Sequence, residues 1–326
     1  MCFFRSKEPK QMQSVAKALY KPSTIPRAPV MEDYNPASNG SKPRLAPPRA
    51  STGGNSVSSE RTSVAEAERE VQQAELRALV TQRHNNAPDS PFVFPALAPW
   101  IEAAEFAAFL QQDALVEAGD ELGEHNFEVD MEAGTLTFRS ADGRCLECRA
   151  HLLCSIAPGP RSILWGWAHP RGDEVAAGLL RVGEQYQIPE LMAEELPFPD
   201  NFAPTDEDIS SLAHQIGAAA VGILQRGPYY SAPNGSSRVL FILDAPLPPL
   251  TLATAGIKAP RILASGSIHN VRRAVEGLAS MMKWRTSPVE QGRGIELNDG
   301  TSTATVMFDE LGRWTGFSAS LSGQAA

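Results

Sequence analysis

Cys145, Cys148, His151 and Cys154 recur at every third position of CLECRAHLLC, and thiols and imidazole at such spacing are the groups that hold zinc or carry out thiol chemistry. The polarity between them argues for a different use. Leu146, Cys148, Ala150, Leu152, Cys154 and Ile156 alternate with Glu147, Arg149 and His151, the two-residue period of a half-buried strand. In a strand rising ~3.3 Å per residue, Cys145 and Cys154 lie roughly 30 Å apart, and Cys145 and Cys148 point to opposite faces. The four side chains therefore cannot enclose one tetrahedral ion. They read as structural cysteines with no metal.

The second candidate is Trp165-Gly166-Trp167-Ala168-His169-Pro170, reached after a turn at Pro158-Gly159-Pro160. As a returning strand it places Ile163, Trp165 and Trp167 on one face, with Gly166 and Ala168 on a face that another element can approach closely. Trp165 and Trp167 can line a ligand groove or fill a core. His169 is held extended by Pro170 at the strand end, beside Arg171, Asp173 and Glu174. A catalytic histidine needs a nucleophile or carboxylate in reach, and no Gly-x-Ser-x-Gly, His-Glu-x-x-His or paired-carboxylate pattern supplies one. No catalytic residue is assigned. Trp165, Trp167 and His169 remain candidates for binding only. His214 flanks the stripe of a helix and His269 falls in the first turn of another, and neither marks a site. Gly292-Arg293-Gly294 precedes a strand rather than a helix, so it is no phosphate loop, and no cofactor is implied.

Leu152-Leu153-Cys154-Ser155, the turn and Trp165-Gly166-Trp167-Ala168-His169-Pro170 together resemble an uncharacterised bacterial domain family. It is marked by a Leu-Leu-x-Ser strand followed by Trp-x-Trp-Ala-(Asn/His)-Pro and a helix ending near Gly-Glu-x-x-x-Ile, here Gly183 to Ile188. The likeness runs from about Phe127 to Asp244. Cys154 replaces a usual glycine and His169 a usual asparagine, which removes any role resting on that side-chain amide. The resemblance implies a fold and no activity.

Around these motifs the chain divides by composition. Residues 1–61 hold ten Lys and Arg against four Asp and Glu, a net of +6, and are dense in Pro, Ser, Asn and Gly, so they read as a disordered basic arm. The remainder carries −15, with Lys258 and Lys283 its only lysines. An acidic body of this kind excludes nucleic-acid binding by the folded part. Four cysteines without an apolar leader fit a reducing, cytoplasmic setting, and no stretch is long enough to span a membrane. Cys2, beside Phe3, Phe4 and basic residues, is a conceivable acylation site, although no glycine follows Met1.

Residues 62–95 read as an exposed or partner-seeking helix, opened by Ser63-Val64-Ala65-Glu66 and closed near Arg83, followed by a proline-punctuated linker. Residues 96–326 read as one α+β domain with a core at 127–244 and a C-terminal helix-plus-meander unit at 261–321. Its elements are a helix with Trp100, Ala103, Ala104, Phe106, Ala107 and Leu110 as its stripe, a meander from Phe127 to Trp167, and a helix from Asp173 to Tyr186. A helix capped by Thr205 and Asp208 and two strands around Asn234-Gly235 follow. Pro246 to Pro260 reads as a linker or strap. Leu136-Thr137-Phe138 before Asp142-Gly143-Arg144 resembles Val306-Met307-Phe308 before Leu311-Gly312-Arg313, a hint of duplication. The expected fold is antiparallel sheet, as meander and hairpins, covered by helices. Two function classes follow: a non-enzymatic module for a protein partner, or a small-molecule-binding protein or enzyme using Trp165, Trp167 and His169 as a pocket wall.

Overall fold

A computed structural model describes residues 3–5 and 57–320 of the chain. The expected disordered arm, 1–61, and Cys2 lie outside the described residues, apart from strand β1 (Phe3–Arg5) and the first turns of helix α1 (Val57–Asn85). Ser63 does not cap α1 but lies inside it, where serine costs only about 0.5 kcal/mol relative to alanine.

Helix α1 is exposed over 66–72 and then docks one stripe, Gln73, Leu76, Val80 and Arg83, on the body. Gln73 donates to the Glu195 carbonyl at 3.1 Å, and Arg83 Nη1 lies 2.6 Å from both oxygens of the buried Glu190 carboxylate. Side chains 66–72 are thus exposed, whereas the stretch from Gln73 to Arg83 is docked along one stripe. Three-residue and four-residue steps between Gln73 and Arg83 align one narrow face, which suffices for docking without a broad apolar stripe.

The chain enters the body through α2 (Ala98–Leu122), started by a proline in its first turn and stopped at Gly123, where φ is 71°. Trp100, Ile101, Ala104, Phe106, Ala107, Ala108 and Leu110 are all buried, more than one face of a helix can carry. The reason is that α2 packs against helices on two sides, α5 (Asp206–Leu224) and α7 (Val271–Met282).

After α2 come β2 (His125–Asp130), β3 (Thr135–Ser140), β4 (Cys145–Ala157) and β5 (Ser162–Trp165), each antiparallel to the next. Helices α3 (Ala177–Tyr186) and α4 (Pro189–Met192) precede the short β6 (Glu195–Pro197), and α5 leads into the hairpin β7 (Tyr229–Asn234) and β8 (Ser237–Asp244). These strands form an eight-stranded sheet in which β1 flanks β2 and β6 flanks β5. Arg149 of β4 faces both Thr135 and Asp244, so β3 lies on the edge of β4 opposite β8. The fold is α+β, as expected. Thr205 caps α5 as its sequence implies, accepting from the Asp208 amide while Asp208 accepts from the Thr205 amide.

The register of β4 against β8 shifts between Leu152, which faces Phe241, and Cys154, which faces Leu240. Leu153 is the extra residue of a β-bulge, and it reverses the parity of the strand. Cys148 and Ala150 are buried in one core, with Leu136, Phe138 and Val129. Leu153, Cys154 and Ile156 are buried in the other, with Trp165 and the apolar face of α5. The single stripe from Leu146 to Ile156 expected of a regular strand is thus split between the two faces of the sheet.

The C-terminal unit contains α6 (Leu252–Ala264), α7 and a four-stranded antiparallel meander of β9 (Arg285–Val289), β10 (Gly294–Asn298), β11 (Thr303–Phe308) and β12 (Trp314–Ser320). Helix α6 replaces most of the expected linker. Thr251 and Thr254 cap it reciprocally, and Leu252, Ala255, Ala259, Ile262 and Leu263 are buried at helical spacing, which offsets the ~3 kcal/mol cost of Pro260 inside it. The unit grips α2 through polar groups: the His269 amide donates to Glu105 at 2.8 Å, the His269 ring pairs with the same carboxylate, and Arg273 lies 3.0 Å from Glu102. Burial holds the Glu102 carboxyl above its usual range even with Arg273 beside it. His269 precedes the N-cap Asn270 rather than lying in the first turn of α7.

Candidate functional site: the tryptophan loop over the bulge

The returning strand ends at Trp165, not Trp167, because Gly166–Ala168 turns into a short 3-10 helix. Gly166 sits directly on the backbone of the bulge, where a Cβ would overlap the Leu152 carbonyl. Close approach at Gly166 follows from the sequence; the partner is the bulged strand itself. Since the chain leaves the sheet here, Trp165 and Trp167 do not share a strand face.

Each tryptophan has its own environment. Trp165 is 1% exposed, and its indole Nε1 donates to the Glu190 carbonyl at 3.0 Å. Trp167 is half-buried against the same core, and its buried Nε1 has no hydrogen-bond partner among the described residues. His169 turns back on its own loop, where its Nδ1 accepts from the Arg171 amide at 3.3 Å. Arg171 ties the loop to the β2–β3 turn by donating to the Met131 carbonyl at 2.9 Å. Asp173 closes the loop by accepting from Leu152 N in the bulge and from Val175 N ahead of α3. The motif thus forms a clasp on β4, with a Gly-carbonyl contact at one end and a carboxylate-amide bond at the other.

Beneath the clasp lies a charged group that local sequence does not announce. His151 Nε2 is 3.1 Å from Asp244 Oδ2 and Nδ1 is 3.7 Å from Asp173 Oδ1, while Arg226 lies 3.4 Å from Asp244. Asp244 is 93 residues from His151 in the chain, and only the β4–β8 register brings them together. Both imidazole nitrogens face carboxylates. Among the described residues no hydrogen bond joins His151 or His169 to a serine, threonine or cysteine side chain, so neither is seen activating a nucleophile.

Cys145 is exposed, whereas Cys148 and Cys154 are buried on opposite faces. Burial pushes the Cys148 thiol up to about 11 and raises that of Cys154 as well, which disfavours the thiolate needed for nucleophilic or metal chemistry. Among the described residues no three His, Cys, Asp or Glu side chains converge as a metal set. His214 is half-buried on α5, with Nδ1 2.7 Å from the Tyr229 hydroxyl, and burial lowers its pKa.

A surface depression of about 380 Å³ lies elsewhere, between the end of α1 and the start of α4, lined by Arg83, Asn86, Pro95, Ala96, Gln187 and Ile188. None of Trp165, Trp167 and His169 lines it. No helix among the described residues is long and apolar enough to cross a membrane. No curated protein and no solved structure matches the chain. Residues 98–246, from the start of α2 to just beyond β8 and including the tryptophan clasp, match a family of unknown function, DUF6882.

Proposed function

We propose that this chain is a non-enzymatic protein-interaction module whose partner is reached by the first half of α1. The observation that carries this reading is the exposure of every residue from 66 to 72, ahead of the docked stripe that begins at Gln73. A helical segment with so few packing contacts is marginal in water and gains stability when a partner covers it; Val71, 58% exposed, is its large apolar residue. The use of Gly166, His169 and Asp173 to close the clasp supports a structural role for the tryptophan motif. The acidic body supports a protein rather than a nucleic acid as partner. Free thiols at Cys145, Cys148 and Cys154 support a reducing, cytoplasmic setting, and the family resemblance supports a bacterial source. In this reading 62–95 is the partner-facing lead-in to an α+β domain spanning 96–326.

The second reading, a small-molecule site walled by Trp165, Trp167 and His169, is favoured by the buried Trp167 Nε1, a donor without a described acceptor. The two are separated by paired variants. Under the first reading, a stoichiometric partner isolated with the parent chain is lost on Val71→Asp and kept on His169→Ala. Retention of the partner on Val71→Asp contradicts it, and a saturable metabolite-induced thermal shift abolished by Trp167→Phe favours the second.

A further inference from the structure

Among the described residues, five strands form the outer edges of the two sheets: β1, β6, β7, β9 and β12. An unpaired edge is a template for another strand, and edges are normally blunted by charge, proline or brevity. Strand β1 has three residues including Arg5, and β6 has three including Glu195 and Pro197. Strand β7 contains Pro233, and β9 contains Arg285 and Pro288. Strand β12 differs from all of these. Its seven residues, Trp-Thr-Gly-Phe-Ser-Ala-Ser, include no charge and no proline.

The register of β12 defines the usable edge. Met307 faces Gly316 while Phe308 faces Trp314, so Thr315 is displaced as a bulge and 316–320 remain regular. Ser318, Ala319 and Ser320 are exposed, and the outer side of β12 has no strand partner among the described residues. We propose that this edge is a self-association site, at which two copies pair β12 antiparallel about a two-fold axis at Ser318 and join their four-stranded sheets.

A second copy is the partner that the chemistry fits. A two-fold contact places the same strand against itself, with Ser318 opposite the partner subunit's Ser318 and Phe317 opposite the partner subunit's Ala319. No charge within the paired stretch meets another. The remainder of the chain beyond residue 61 carries −15, so two copies repel over most approaches and meet at least cost along a neutral strand.

The test is sedimentation of the full chain together with Ser318→Lys, Ser318→Glu and an equimolar mixture of the two. Ser318 is exposed, so both variants should melt with the parent. The parent is expected to dimerise reversibly, each variant alone to dissociate at least tenfold more readily through like-charge opposition at the axis, and the mixture to regain the dimer as a Lys–Glu pair. A parent monomeric throughout the micromolar range overturns the proposal, as does a dimer insensitive to both variants. Loss of dimer in both variants without recovery on mixing overturns the two-fold register. A dimer lost only on deleting residues 1–56 assigns association to that segment instead.

Discussion

Gly166 lies so close to Leu152 that a Cβ built on it would stand 1.9 Å from the Leu152 carbonyl oxygen and 2.8 Å from the carbonyl carbon. Both atoms belong to the backbone of a bulged strand paired on its far side with β8, so neither can yield cheaply. Gly166→Ala is therefore expected to cost about 3 kcal/mol or more, at the upper end of overpacking penalties, as read by urea unfolding. A substitution costing no more than an exposed Gly→Ala change would show that the clasp is not seated on the bulge.

Docking of α1 rests on a guanidinium held by a buried carboxylate. Arg83→Ala strands Glu190, which is 1% exposed, and is expected to cost about 2 kcal/mol, less than for a fully buried pair because Arg83 is itself 35% exposed. The double variant with Glu190→Met should recover much of that loss. A double variant no more stable than Arg83→Ala would mean that the loss does not come from a stranded Glu190 carboxylate.

The same contact pattern fixes where α1 opens. Amides of 66–72 should exchange with solvent early, and those from Val80 to Arg83 should be protected more nearly like the buried helix α5. Uniform exchange along α1 would contradict a docked second half.

Some of this fold is written locally and some is not. The Thr205–Asp208 cap and the alternation from Leu146 to Ala150 were legible because each depends on residues within one or two turns. The bulge was not, since Leu152, Leu153 and Cys154 are all apolar and the extra residue leaves no polarity mark. Helix α6 was hidden by Pro246, Pro248, Pro249 and Pro260, although its Thr251-x-x-Thr254 cap was available as a signal. Of the candidate site, the close approach at Gly166 could be read from residue type, whereas the His151–Asp244 pair could not, because a strand register across 93 residues creates it.

Asp299 links the two halves of the C-terminal unit, accepting from the Ser302 amide at 2.8 Å, the Thr301 amide at 2.9 Å and the Leu252 amide at the start of α6 at 3.1 Å. Burial alone would raise its carboxyl, but the Ser302 and Thr301 amides, the Thr301 hydroxyl and the Leu252 amide together hold it at about 2, below its ordinary 3.8. A lowered folded pKa favours the ionised form in the native state, so this stabilisation is present above 3.8 and is lost as pH falls from there towards 2. Thermal melts across that window should show the parent losing stability faster than Asp299→Asn, with the two converging at the acid end. Parallel pH profiles would contradict the assignment.

The tryptophan motif works as a structural clasp, with Trp165 as its buried anchor and His169 as a minor tie. Equilibrium unfolding of Trp165→Ala and His169→Ala tests it most directly. Loss of a fully buried indole and its bond to the Glu190 carbonyl should cost about 3–5 kcal/mol, while His169→Ala, which gives up one 3.3 Å bond from the Arg171 amide, should cost about 1 kcal/mol or less. A Trp165→Ala protein as stable as the parent, or a His169→Ala protein destabilised to the same degree as Trp165→Ala, would contradict the account.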